Sequence, residues 1–345
     1  MVSKGDRTVV TPADEGPRWE VESMEKVKVA LVGAGEMVNN AHAPALAEMA
    51  DVEVAAICDV VPEKAEETAG KFGLGKTYGD YRRMIDEVSP DAVYIVVRPQ
   101  HLHDIATYAM ERGKHVFTEK PPGVYTEQTR QLAKTAERHG CLTMVGFQRR
   151  YTPITVECRR RVLERGAMYQ VLVSFLKWYD DGPMYGGATD LLYSDVIHIV
   201  DTIRWAAGAE AVEVYGDMKA HGTEYASAHN AFIRFSNGVV GYLQSNHRVG
   251  ARQLRMEMHG DRVSCVFAPE EGGVIYRAGE EPLKLEAAEL AGGSEMFRIG
   301  FYQESRHFID CIKSGRQPDT SFADAVHTMK LCDAIAQSSP PWTEG

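Results

Sequence analysis

Lys120 is the residue in this sequence with the most chemistry to offer. It stands in the run Glu119-Lys120-Pro121, at the end of an apolar segment and downstream of a Gly33-Ala34-Gly35 turn. The turn follows Val27-Lys28-Val29-Ala30-Leu31-Val32, which reads as a buried parallel strand. A strand, glycine turn and helix can hold a dinucleotide pyrophosphate on backbone N–H groups at the helix N-terminus. A lysine at the edge of a later strand of the same sheet then sits beside the nicotinamide. The combination predicts a nicotinamide-dependent oxidoreductase.

The second chemical signal is the segment Leu191-Leu192-Tyr193-Ser194-Asp195-Val196-Ile197-His198-Ile199-Val200-Asp201. On a helix, residues three apart lie near one face. Asp195, His198 and Asp201 therefore form a polar stripe on an apolar helix, and burying them without partners is costly. The plain alternative is a satisfied core histidine flanked by solvated carboxylates; beside Lys120 and a nicotinamide, catalysis is the stronger reading. Oxidising a secondary alcohol removes a hydride from carbon and a proton from oxygen. Histidine is the natural base near neutral pH. A lysine ammonium polarises the alcohol oxygen and stabilises developing alkoxide charge. Asp195 orients His198 or holds a substrate hydroxyl.

The cofactor fingerprint Gly33-x-Gly35-x-x-Val38 has valine in place of its third glycine. That glycine allows close helix–strand packing, so its loss predicts a displaced helix. Asp59 closes the second strand candidate, where a carboxylate accepts hydrogen bonds from ribose hydroxyls and repels a 2′-phosphate. NAD is expected, with NADP disfavoured. Expected contacts are Gly33, Gly35, Glu36 and Met37 in the turn, Asp59, then Val97, Arg98, Pro99 and His103 at the third strand's crevice, with Glu119 and Lys120. His101 and His103 form an H-x-H pair without a third ligand at metal-like spacing, so no metal is expected.

The elements around these residues alternate. Strand candidates are Val27–Val32, Val52–Asp59, Ala92–Val96, His115–Thr118 and Thr143–Gly146. Helix candidates fall near Ala43–Met49, Glu63–Phe72, Tyr81–Glu87, His103–Arg112 and Thr126–His139. This rhythm predicts a Rossmann-type, doubly wound parallel sheet over residues 24–148. Residues 149–345 change character. A helix over Leu191–Ala207 precedes strand-like runs at Val212–Met218, Asn230–Phe235, Val239–Ser245, Arg255–His259 and Val263–Phe267, with turns at Asn237-Gly238 and Gly260-Asp261. They predict an α/β domain with an antiparallel sheet. Helices over Arg298–Ser314 and Ala323–Gln337 end the chain, the second stopped at Pro340-Pro341. Residues 1–23 read as a flexible extension, with Met24 opening the first strand.

The 345 residues suggest two domains, and the net charge of −11 argues against a nucleic-acid partner. No apolar stretch approaches the roughly 20 residues needed to span a bilayer, and no signal-peptide core precedes the first strand. Six scattered cysteines without a C-x-x-C pair read as the reduced thiols of a cytoplasmic protein.

Taken together, these motifs resemble the glucose–fructose oxidoreductase, inositol dehydrogenase and rhizopine-catabolism (Gfo/Idh/MocA) family. The carriers are Val29-Ala30-Leu31-Val32-Gly33-Ala34-Gly35, His42-Ala43-Pro44, Cys58-Asp59, Gly113 to Pro121, Gly146-Phe147-Gln148-Arg149-Arg150-Tyr151, Gly186-Gly187, His198-x-x-Asp201, and Phe308-Ile309-Asp310 to Gly315-Arg316-x-Pro318. The resemblance implies a large, mostly antiparallel second sheet, a catalytic Lys120 and His198, and Gln148 and Arg150 near cofactor and substrate. It implies oxidation or reduction of a hydroxyl on a sugar, sugar derivative or cyclitol, and a homo-oligomer, dimer or tetramer, built on the open sheet face. Many members carry Asp four residues before the helix histidine; here Ser194 stands there, and Asp195 is the substitute in an Asp-x-x-His-x-x-Asp arrangement.

Substrate choice is expected from loops of the second domain, including Leu176-Lys177-Trp178-Tyr179-Asp180-Asp181. Trp178 and Tyr179 can stack on a sugar's C–H face or pack at an edge. Two other functions compete. One is an NAD-dependent glycosidase or lyase that borrows the hydride, eliminates and returns it. The other is a non-catalytic regulator, against which Lys120 and His198 argue.

Overall fold

A computed structural model describes residues 26–179 and 182–338. Short apolar runs build the first sheet from β1 (Val27–Val32), β2 (Val52–Cys58), β3 (Lys76–Tyr78), β4 (Ala92–Ile95), β5 (His115–Thr118) and β6 (Thr143–Val145). Between them lie α1 (Ala43–Ala47), α2 (Pro62–Phe72), α3 (Tyr81–Val88), α4 (Pro99–Glu111) and α5 (Thr126–His139). All pairs are parallel, in the order β3-β2-β1-β4-β5-β6. β4 and β6 are buried throughout, as strands covered on both faces must be. Strand order reverses between β1 and β4, which opens a crevice at the strands' carboxyl ends. Gly33 and Lys120 both lie just past such ends.

The valine in the fingerprint has a visible counterpart. A π-helical turn over Val38–His42 stands between the glycine loop and α1, and it seats Val38 fully in the core. The wider turn fits the displaced helix that loss of the third glycine predicts.

The second sheet holds β7 (Met168–Trp178), β8 (Ala211–Lys219), β9 (Ala228–Phe235), β10 (Val240–Asn246), β11 (Arg248–Gly260), β12 (Val263–Ala268), β13 (Gly272–Arg277) and β14 (Leu283–Glu286). Its order is β14-β13-β12-β11-β7-β10-β9-β8, antiparallel except for the β7–β10 pair. α6 (Pro153–Leu163) and α7 (Ile197–Ala207) pack on one face, over inward residues such as Val171, Val173 and Phe175. The opposite face leaves Tyr215 and Tyr242 exposed beside Phe232. After the short helices α8 (Ala287–Leu290) and α9 (Glu295–Arg298), α10 (Phe301–Ser314) returns to β1 and α1. The last helix, α11 (Phe322–Ser338), packs on α5, α7 and β8 and so bridges the two sheets.

Several expectations change. β3, α6, β7, β13 and β14 lack a strong sequence signal. β3 is three residues long, α6 is dense in arginine, and β14 is mostly exposed. Leu176, Lys177 and Trp178 belong to the end of β7 rather than to a loop, and Asp180 and Asp181 lie outside the described residues. The same holds for Met24, the 1–23 extension and the Pro340-Pro341 stop.

Candidate active site

The glycine loop is shaped for close approach. Gly33 has φ +105, and a Cβ there would stand 2.2 Å from the Val96 carbonyl oxygen, with Val97 Cγ1 at 3.5 Å. Gly35 faces open space, followed by exposed Glu36 and Met37. Asp59, just past β2, accepts from the Ala34 N–H at 2.8 Å and the Val61 N–H at 2.9 Å. Its carboxylate therefore borders the loop where a ribose would lie. Arg98 caps α4 and is exposed; Pro99 opens that helix, and His103 lies half-buried beside Asp104. An open backbone cradle with an acidic neighbour fits a dinucleotide carrying free ribose hydroxyls.

Lys120 stands two residues past β5, is joined to Pro121 by a cis bond and is half-buried. Its Nζ donates to the Ser194 carbonyl oxygen at 2.9 Å. Ser194 belongs to a second π-helical turn, Leu192–Val196, which runs directly into α7. This turn carries Asp195 and α7 carries His198, both buried. His198 Nδ1 has no hydrogen-bond partner. Burial holds the imidazole's pKa well below the ordinary value, helped by Lys120, Arg149 and Lys177 and opposed by Asp195.

Asp195 does not simply orient His198. Its carboxylate accepts from His247 Nε2 at 2.8 Å and pairs with Lys177 Nζ at 2.6 Å. These contacts, with Lys120, hold its pKa well below the usual carboxylate range despite burial. Lys177 and His247 are thus part of the site, brought in by β7 and the turn after β10. Lys177 continues the inward-facing parity of Val171, Val173 and Phe175 at the end of its strand, and His247 is isolated in sequence. Neither carries a motif. Tyr185 also closes on the site at φ +54, its phenol pushed up to about 12 by burial and by the charges of Glu119 and Asp195.

Other expected residues turn elsewhere. Arg150 is buried and gives Nε and Nη2 to Asp201, Nη2 to Asp324 and Nη1 to the Asp319 carbonyl. It is a strut between the 3-10 turn Gln148–Tyr151, α7 and α11 rather than a free substrate ligand, and Asp201 leaves the polar stripe to hold it, with Thr328 donating to the same carboxylate at 2.8 Å. Glu119 points inward: it takes His42 Nε2 at 2.8 Å and the Lys120 N–H at 3.1 Å. Glu304 lies beside it, and the ligand atoms of His42, Glu119 and Glu304 fall within 4.8 Å of one another. Gln148 is half-buried with a partnerless Oε1, and Trp178 is exposed under Arg248, whose guanidinium carbon is 4.6 Å from the indole centroid. Tyr179 donates its backbone N–H to the His247 carbonyl. All six cysteines are free and buried.

Residues 27–147 match the model of the oxidoreductase family with an NAD-binding Rossmann fold, and residues 152–266 match the GFO/IDH/MocA C-terminal domain. The chain belongs to the Gfo/Idh/MocA family. It is an oxidoreductase with NAD as cofactor. Among its relatives, levoglucosan dehydrogenase of Pseudarthrobacter phenanthrenivorans is 26% identical, covering 92% of this chain and 97% of that protein. Inositol 2-dehydrogenase of Salmonella typhimurium is 28% identical over 85% of this chain and 88% of its own length. D-glucoside 3-dehydrogenase of Escherichia coli K12 is 25% identical over 70% and 77%. The fold of this Gfo/Idh/MocA protein matches a dehydrogenase from Chromobacterium violaceum at TM-score 0.84 and 21% identity, covering 91% of this chain and 96% of that one. It also matches levoglucosan dehydrogenase in complex with NADH at TM-score 0.80 and 23% identity, over 91% and 97%. Among the described residues no helix is long and apolar enough to cross a membrane.

Proposed function

We propose that this protein is an NAD-dependent dehydrogenase acting on CH–OH groups, which oxidises a secondary hydroxyl of a sugar, sugar derivative or cyclitol. The carrying observation is the bond from Lys120 Nζ to the Ser194 carbonyl, which joins the cofactor crevice to the turn and helix of Asp195 and His198. The names of the relatives, which act on a glucoside, levoglucosan and inositols, support the substrate class. Residues 24–148 hold the dinucleotide and residues 149–345 the substrate.

Bound NAD supplies a hydride acceptor beside Lys120. The chain's own groups manage the proton and the oxygen. Lys120 donates to the alcohol oxygen and stabilises the alkoxide charge that builds there as the proton departs, before the hydride leaves carbon and the C=O bond forms. His198, neutral at ordinary pH, takes the hydroxyl proton. Asp195, kept ionised by His247 and Lys177, accepts a hydrogen bond from a substrate hydroxyl and sets the field at His198. Gly33, Gly35, Glu36, Met37 and Asp59 line the adenosine side of the dinucleotide; Val97, Arg98, Pro99, His103 and Gln148 frame its nicotinamide side, with the inward-turned Glu119 behind them accepting from the Lys120 N–H. Trp178 and Tyr179 flank the substrate entrance at the end of β7. Free buried thiols suit a cytoplasmic location.

A screen of sugars, glycosides and inositols for NADH formation tests the reading. Net NADH in proportion to substrate supports it. Cleavage of a glycosidic or C–O bond without net NADH replaces it with the hydride-borrowing elimination chemistry.

A further inference from the structure

Arg149 is a buried cation with no carboxylate partner among the described residues. Only 7% of its surface is exposed, and its Nε has no hydrogen bond. Its pKa falls only to about 10, through burial, so it remains charged at neutral pH. Leaving a charge desolvated and unpaired is expensive, and native structures normally supply a counter-ion or a ligand in its place.

The surroundings make the missing partner an anion. Arg149 stacks on Phe175, with its guanidinium carbon 4.8 Å from the ring centroid; Lys177 Nζ and the Arg252 guanidinium lie 5.3 Å and 5.9 Å from the same ring. The nearby acids are already committed. Asp195 is held by Lys177 and His247, and Glu270 makes a bidentate pair with Arg252 at 2.6 Å per bond. Arg149 also lines a cavity of about 330 Å³ with Gln148, Arg252, Leu254, Glu270, Phe301 and Glu295, the last paired with Arg298 at 3.2 Å. Arg149 shares the Phe175 ring with Lys177, which pairs with Asp195 on the turn leading to His198, and Asp195 and Glu270 both act on its charge. Arg149 therefore links this cavity, through Phe175 and Lys177, to the turn that carries Asp195.

We propose that the substrate is an anionic sugar or cyclitol, whose carboxylate or phosphate pairs with Arg149 while a neighbouring secondary hydroxyl meets Lys120 and His198. This rests on the dehydrogenase reading above. A planar guanidinium suits two oxygens of one anion, and the Phe175 face holds it ready. Lys177 and Arg252 add long-range attraction without giving up their own acids.

The test compares initial NADH formation with three matched substrates: a methyl hexoside, the corresponding methyl hexuronide and the hexose phosphate. One anionic member should exceed the neutral one by about tenfold or more in kcat/KM, chiefly through KM. Which member gains identifies carboxylate or phosphate as the group. Arg149→Gln should remove most of that advantage, and Arg149→Lys should keep part of it, because charge survives without the fork. NADH binding, read by fluorescence, checks that each variant is folded. Neutral substrates turned over as well as anionic ones would overturn the proposal while leaving the dehydrogenase reading intact. An equal loss on all substrates in Arg149→Gln, with NADH binding retained, would reduce Arg149 to a packing role and also overturn it. No NADH from any sugar, acid, phosphate or inositol would bring down the dehydrogenase reading and this proposal together.

Discussion

Lys120 Nζ donates to the Ser194 carbonyl oxygen at 2.9 Å, fastening the edge of the parallel sheet to the helix of the second domain. The bond fixes the ammonium beside the turn that carries Asp195 and the helix that carries His198. Lys120→Ala should lower kcat by about 10²-fold or more, since it removes both charge stabilisation and orientation of the alcohol oxygen. NADH affinity should change little. Steady-state kinetics with a fluorescence titration distinguishes this from a folding defect; near-normal kcat in a folded variant takes Lys120 out of the chemistry.

His198 carries the pH dependence. Burial and the cations Lys120, Arg149 and Lys177 depress its pKa, and Asp195 raises it. Turnover should therefore rise through a limb that lies below the ordinary histidine range and be flat through neutrality. Asp195→Asn should move the limb to still lower pH, because the negative charge that favours the imidazolium is lost. Lys177→Met should move it upward, and His198→Asn should abolish it while slowing hydride transfer. The pH profiles of the three variants check the assignment, and a limb unmoved by all three contradicts it.

The parts of this account that sequence made legible are those where a residue type and a local period coincide. Gly33, Asp59 and Lys120 each stand at the end of an apolar strand, and His198 and Asp195 share a short helical segment. Contacts made across the second sheet were not legible. Lys177 reaches Asp195 from the end of β7, and His247 from beyond β10, because those strands are parallel neighbours despite a long separation in sequence. Period alone also misassigned Asp201. Asp201 shares α7 with His198, but its carboxylate is taken up by Arg150 and by Thr328 of α11.

Glu304 should govern stability at high pH. It is fully buried, neither carboxyl oxygen is hydrogen-bonded, and burial with the nearby Glu119 charge pushes its pKa well above the usual range. A raised carboxyl pKa means that the folded state favours the proton. Stability from this group is full below the unfolded-state pKa and is lost as pH climbs through the folded-state value. Glu304→Gln, which cannot ionise, should gain Tm over the parent protein as pH rises from the carboxylate range to alkaline values, with little difference in acid. Parallel Tm curves for the two proteins contradict the argument.

Asp59 should set the choice between cofactors. Its carboxylate stands against the glycine loop, accepting from the Ala34 N–H at 2.8 Å, where it would oppose a 2′-phosphate. Asp59→Ser should shrink the preference for NAD over NADP by about tenfold or more, read as the ratio of kcat/KM values. An unchanged ratio removes Asp59 from the discrimination.

The outer face of the eight-stranded sheet should be an interface between copies. α6 and α7 cover only the inner face, and the outer face shows Tyr215, Phe232 and Tyr242 amid polar side chains. Light scattering at micromolar concentration should give a homo-oligomer, and Tyr242→Asp should weaken it. A monodisperse monomer of the parent protein contradicts this assignment.

Net hydride transfer from a secondary hydroxyl should proceed with Lys120 and His198 handling the oxygen and its proton. The most direct measurement is a single turnover with excess enzyme and NAD on a substrate identified in the NADH screen, deuterated at the reacting carbon. The account predicts one reduced cofactor per substrate consumed, carrying the deuterium, formed with a primary isotope effect and at least about 10²-fold more slowly in Lys120→Ala. Substrate cleavage with the deuterium returned to the product and no reduced cofactor accumulating would contradict it.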